Sequence, residues 1–180
     1  LKAIDEFRQG ALVVATMTGL EEWQSISSDP TRDVPLDDTM GKASSFGLGL
    51  ALAQPDYKVA VIDGDGSLLS NLGSLVTIAN SSPANLVHFV LQDDMYFSTG
   101  GALIPGADKL SFEGLASSAG YPVAYEFDDL EDFVTQLEDI FRQEGPIFVC
   151  LKIRRNGVPN SSPRSFYEAR EQLRLLFDIT

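Results

Sequence analysis

Two short runs set the terms for what this chain can fold into. Val59-Ala-Val-Ile62 and Leu86-Val-His-Phe-Val-Leu91 are apolar at nearly every position, not at every second one. A strand of that kind must be covered on both faces, which in practice means a parallel sheet sandwiched between helices. The segment joining them opens with Asp63-Gly-Asp-Gly-Ser67 and is long enough for one crossover helix, as parallel neighbours require. Both runs end in acid, at Asp63 to Asp65 and at Asp93-Asp94. Ligands of open parallel sheets sit outside the carboxyl ends of the strands, so the acids fall where a site would form.

The rest of the chain repeats the alternation. Further strand candidates are Ala11–Thr16, Val123–Glu126 and Ile147–Ile153, with the first two runs extended to Lys58–Ile62 and Leu86–Leu91. Between them lie helical patterns. Met40–Ala53 is rich in Gly and Ala, which suits a helix packed against backbone or a bound molecule. A helix is expected from Ser67 to about Asn80. Asp129–Glu144 sets Leu130, Phe133, Val134, Leu137, Ile140 and Phe141 on one face and stops at Gly145-Pro146. Ser162-Pro163 gives a cap and first-turn proline for a last helix with Phe166, Ala169, Leu173 and Leu176. The expected fold class is α/β, one doubly wound domain over residues 1–180 with a mainly parallel sheet and helices on both faces.

Composition narrows the function. Asp and Glu number 26 against 13 Lys and Arg, a net charge of −13. That argues against nucleic acid, whose binding relies on clustered cations. An anionic ligand must be held locally, by a metal, backbone amides or a few arginines. A lone cysteine, Cys150, leaves no disulfide or Cys-rich metal site within the chain; it lies in an apolar strand and reads as a buried, inert thiol. The lone histidine, His88, is mid-strand and reads as a satisfied core or interface residue, not a base. Lys152, Arg154 and Arg155, with Arg164 beyond, read as a solvated basic exit from the last strand. No stretch approaches the roughly 20 apolar residues of a membrane span and no secretory leader opens the sequence, so the expectation is a cytoplasmic protein.

The acidic loops suggest a chemistry. Gly64 and Gly66 permit close approach of a ligand, amides around Gly66 and Ser67 open a helix, and Asp65 can reach a cation shared with phosphate oxygens. Asp93 and Asp94, at the end of the adjacent parallel strand, would lie beside Asp65.

A GDG turn and, roughly 25 to 30 residues on, a strand end with Asp93 where the thiamine diphosphate fingerprint has Asn carry a specific resemblance. The chain resembles the diphosphate-binding domain of thiamine-dependent 2-oxoacid decarboxylases, most like the β subunit, or C-terminal half, of sulfopyruvate and phosphonopyruvate decarboxylases. Carrying it are Thr39-Met-Gly-Lys-Ala-Ser-Ser-Phe-Gly-Leu-Gly-Leu-Ala-Leu-Ala53, Asp63-Gly-Asp-Gly-Ser-Leu-Leu-Ser-Asn-Leu-Gly-Ser-Leu75, Ile78-Ala79, Tyr96-Phe-Ser-Thr-Gly-Gly101, the Gly145-Pro-Ile-Phe strand and Pro163-Arg164.

The resemblance implies thiamine diphosphate and Mg2+ as cofactors. It makes Asp65 and Asp93 side-chain ligands of the magnesium and the Met95 carbonyl the third protein ligand. Gly64, Gly66, Ser67 and the loop Tyr96, Phe97, Ser98, Thr99 would hold the diphosphate. Met40, after Thr39, would support the thiazolium, and the Asp38 carbonyl would take a hydrogen bond from the aminopyrimidine. The glutamate that activates the cofactor belongs to a pyrimidine-binding domain, for which the chain has no room. The implied partner is a separate α subunit in a hetero-oligomer, acting on a small 2-oxoacid. Two positions depart from the pattern. Asp93 stands where Asn is usual, and Leu20-Glu-Glu-Trp23 replaces a Ser-Arg-Glu segment, so the substrate is left open. Carboligation of the acetolactate synthase kind, 2-oxoacid oxidation and a non-catalytic role remain alternatives.

Overall fold

The computed structural model describes residues 1–155, so the expected helix after Ser162 and the role of Arg164 lie outside the described residues. The strands are β1 (Leu12–Thr16), β2 (Asp33–Leu36), β3 (Val59–Gly64), β4 (Leu86–Gln92), β5 (Met95–Tyr96), β6 (Ala102–Leu103), β7 (Val123–Phe127) and β8 (Ile147–Lys152). The helices are α1 (Lys2–Phe7), α2 (Met17–Gln24), α3 (Ala43–Ala53), α4 (Asp65–Leu69), α5 (Ser74–Ser81), α6 (Phe112–Ala119) and α7 (Leu130–Arg142).

Six strands form one parallel sheet in the order β2-β1-β3-β4-β8-β7. The fold is α/β, as the doubly apolar runs require. β3 and β4 pair in register from Val59 opposite Leu86 to Gly64 opposite Leu91, so their acidic ends emerge side by side. Strand order reverses between β1 and β3: the chain leaves β1 toward β2 and then returns to build the sheet the other way. A crevice at such a reversal is the usual ligand site of open α/β sheets.

Each face has its own core. On one, Ile4 of α1, Leu20 and Trp23 of α2, and Phe133, Leu137, Ile140 and Phe141 of α7 pack on Ala60, Ile62, Phe89 and Val149. On the other, Ala43, Leu48, Ala51, Leu68, Leu75, Ile78, Phe112 and Ala116 pack on Val61, Leu86, Val90 and Phe148. The Gly- and Ala-rich helix packs closely, as expected. A methyl group on Gly47 would stand 2.2 Å from Val61 Cγ2, so α3 approaches β3 at a distance only glycine allows. Asp129 caps α7, its carboxylate accepting from the Glu131 and Asp132 amides.

Three sequence expectations need correction. The helix placed from Met40 begins at Ala43, and Met40 and Gly41 form a turn instead. The helix placed from Ser67 to Asn80 is broken into α4 and α5. Asn71 turns its amide nitrogen to the Gly41 carbonyl (2.8 Å) and the Ser45 hydroxyl (3.2 Å), and tertiary bonds of this kind outweigh helix continuation through Gly73. Strand β2 was not foreseen. Its Asp33 and Pro35 break the apolar pattern, which an edge strand tolerates.

Candidate functional site

The crevice at the strand reversal is lined from four strand ends. Thr16 to Gly19 come from the end of β1, Gly64 to Ser67 from β3, Asp93 and Met95 to Ser98 from beyond β4, and Arg155 from beyond β8; Met40 enters from the turn before α3. Asp65 sits at the centre, only 2% exposed. Its Oδ1 accepts from the Gly66 amide at 2.6 Å, and its Oδ2 accepts from the amides of Asp93 (3.1 Å) and Asp94 (2.7 Å). Asp94 has a φ of +62°, and the turn it makes aims both amides back at β3.

Burial pushes the Asp65 carboxyl up to about 6, the backbone bonds from Gly66 and Asp94 acting against that rise and the charge of Asp93 adding to it. Among the described residues no cationic side chain pairs with Asp65. A buried carboxylate so placed suits a hard divalent cation, which would supply the missing positive charge. Asp93 is less isolated. Its Oδ1 accepts from the Met95 amide at 3.2 Å and its Oδ2 pairs with Arg155.

Backbone geometry leaves room for a phosphate-bearing group. A methyl on Gly64 would meet nothing within 4 Å, whereas one on Gly66 would stand 2.6 Å from the Tyr96 ring. The first position is open to the crevice; the second is where the Tyr96 loop lies against α4. Ser67 accepts from the Gly41 amide (2.9 Å), leaving its hydroxyl proton available as a donor.

Residues 35–151 match the family of the thiamine pyrophosphate enzyme, C-terminal TPP binding domain. The chain belongs to this family. Two relatives share substantial sequence with it. The sulfopyruvate decarboxylase subunit beta of Methanothermobacter thermautotrophicus is 42% identical over 64% of this chain and 59% of its own length. The phosphonopyruvate decarboxylase of Streptomyces hygroscopicus is 38% identical over 66% of this chain and 29% of its own. This thiamine pyrophosphate-binding chain thus spans less than two thirds of either relative. An X-ray structure described as a thiamin diphosphate-dependent enzyme from Mycobacterium smegmatis matches the fold, with a TM-score of 0.72 at 18% identity over 86% of this chain and 31% of its own.

Of the residues that the resemblance implies for a thiamine pyrophosphate site, Met40, Gly64, Asp65, Gly66, Ser67, Asp93, Met95, Tyr96, Phe97 and Ser98 meet in this one crevice. Asp38 and Thr99 line an adjoining hollow with Met17, Glu21 and Ser98. The Thr39 hydroxyl turns away to the Leu36 carbonyl (3.1 Å) and lies 3.4 Å from Thr16 Oγ1. The Gly66 amide, expected to face phosphate, instead donates to Asp65, because the carboxylate one residue back reaches it first.

His88 is a core residue as expected but not a satisfied one, since among the described residues neither of its ring nitrogens has a hydrogen-bond partner. It is fully buried, edge-on to Phe148 at 5.4 Å, with Asp63 Oδ2 3.7 Å from its Nε2. Cys150 is also buried, its thiol donating to Gln92 Oε1 at 3.2 Å and pushed up to about 12 by burial. The basic exit holds for Lys152, which pairs with Glu126 at the surface, and for exposed Arg154. For Arg155 it fails: that side chain is 8% exposed, tied to Asp93 and Glu22 and lying over the Phe97 ring. Thr16 to Gly19 were also missed, although the rule that picked out Asp65 applies equally to the end of β1.

Proposed function

We propose that this chain is the diphosphate-binding β subunit of a thiamine diphosphate- and magnesium-dependent enzyme that decarboxylates a 2-oxoacid without oxidation. The observation that carries the reading is the pair of acids at neighbouring parallel strand ends. Buried Asp65 and Asp93 face one crevice, with Gly64 open beside them. Asp65 and Asp93 hold the magnesium by side chain and Met95 by its carbonyl. Ser67 and the Tyr96 to Thr99 loop hold the diphosphate, Met40 supports the ring system, and the Asp38 carbonyl orients the pyrimidine. Bound thiamine diphosphate supplies the electron sink for the pair left behind when carbon dioxide departs. The chain's own residues fix the cation, orient the anion and wall the crevice.

The partner is a separate α subunit with the pyrimidine-binding domain and its activating glutamate. The name "subunit beta" borne by the Methanothermobacter relative supports this division. Residues 1–180 act as one such domain, in a cytoplasmic hetero-oligomer. Among the described residues no helix is long and apolar enough to cross a membrane.

The names of both relatives favour a substrate like sulfopyruvate or phosphonopyruvate. One observation favours a second reading. Among the described residues that line the crevice Arg155 is the only cation, and it is already bound by Asp93 and Glu22. Unless the partner brings a cation, a 2-oxoacid without a second anionic group fits better. Calorimetric titration of thiamine diphosphate with Mg2+ into the chain and its partner tests the proposal, and absence of binding sinks it. Carbon dioxide release across sulfopyruvate, phosphonopyruvate and uncharged 2-oxoacids then selects the substrate.

A further inference from the structure

Resting on that reading, we infer that Arg155 is the positioning residue of the metal–diphosphate site, forming with Asp93 a single charge-neutral ligand unit. Two carboxylates, of Asp65 and Asp93, line the crevice, and the ligand it is to hold is itself a polyanion. Arg155 stands between Asp93 and the more exposed Glu22. Its Nε pairs with Asp93 Oδ2 and its Nη1 with Glu22, while its guanidinium carbon lies 5.4 Å from the centre of the Phe97 ring.

The pair is secluded. The side chains of Arg155 and Asp93 are 8% and 6% exposed, so water does little to damp their interaction, whereas Glu22 is 44% exposed. One carboxylate oxygen of Asp93 is thereby committed to the arginine. The other, Oδ1, takes the Met95 amide through one lone pair and keeps a second for a cation. With its charge cancelled and one oxygen committed, Asp93 offers what a neutral carbonyl oxygen would offer. Without Arg155 the same carboxylate would face the diphosphate as an uncompensated buried anion. The arginine also fixes geometry, since it ties α2, the loop after β4 and the end of β8 across one crevice.

The test is a double-variant cycle on the full chain with its partner. It is read by calorimetric titration with thiamine diphosphate and Mg2+, and by the electron spin resonance of Mn2+ in its place. Arg155→Gln should weaken cofactor binding by about tenfold or more, the range seen when residues behind metal ligands are removed. Made in an Asp93→Asn background, the same change should alter affinity by less than about threefold, because no charge remains to be cancelled. Arg155→Lys should retain most of the affinity. A tenfold loss on removing Arg155 in the Asp93→Asn background overturns the proposal, since the arginine would then act independently of Asp93. So does wild-type affinity in Arg155→Gln. If Arg155→Gln alone does not fold, the comparison within the Asp93→Asn background still decides. Absence of binding by the unaltered complex would instead overturn the functional reading on which this one rests.

Discussion

Asp65→Asn should stabilise the ligand-free protein at neutral pH while destroying its site. In the folded chain burial raises the Asp65 carboxyl from 3.8 to about 6. The folded state therefore holds this proton more tightly than the unfolded state. Its stabilising contribution is fully present below the unfolded value of about 4 and is lost as pH rises through about 6. The gap corresponds to about 3 kcal/mol. Because the side chain is 2% exposed, solvent screening removes little of that. Asn carries no charge at any pH, so the difference between variant and wild type isolates this one group. With the Asn oxygen kept on the Asp93 and Asp94 amides, loss of the bond from the Gly66 amide shifts the whole curve by about 1 kcal/mol without bending it. Urea unfolding of both proteins in EDTA, from pH 4 to pH 8, gives the difference directly. The variant should gain about 2 to 3 kcal/mol relative to wild type between about pH 4 and pH 7. Parallel curves would refute the argument, for they would mean that Asp65 ionises as freely in the folded chain as in the unfolded one.

Two further substitutions or probes bear on the site and its support. Gly66→Ala places a methyl 2.6 Å from the Tyr96 ring, so the Tyr96 loop must move; a loss of about 1 to 3 kcal/mol in unfolding and weaker thiamine diphosphate binding are expected, and an unchanged affinity would show that the loop does not touch the cofactor. Cys150, fully buried with its thiol pushed up to about 12, should resist a disulfide reagent at pH 8 in the folded protein and react at once in urea.

What was legible in the sequence follows from where each partner lies. Strands β1, β3, β4 and β8 announced themselves because burial on both faces leaves an apolar run that needs no long-range information, and edge strand β7 through its short run of Val, Ala and Tyr. Asp65 and Asp93 could be brought together because parallel neighbours joined by one crossover helix must end on the same side. The break at residues 70–73 was not legible, since Asn71 finds its partner in Gly41, 30 residues away. Arg155 was misread for the same reason. Its acids lie 62 and 133 residues back along the chain, so locally it is one more cation after a strand. Edge strand β2 was hidden by its own proline and aspartate.

The sheet order also governs how the chain comes to be folded. Among the described residues β8, the last of the six strands to be made, inserts between β4 and β7, and β7 has no other neighbour in the sheet. Until residues 147–152 arrive, a nascent chain carries β4 as an open edge and β7 unpaired, a long-range closure of the slow and aggregation-exposed kind. Arg155 follows that strand by three residues. Arg155, and with it the positive charge that meets Asp93, therefore reaches the crevice only after the strand that closes the sheet has been made.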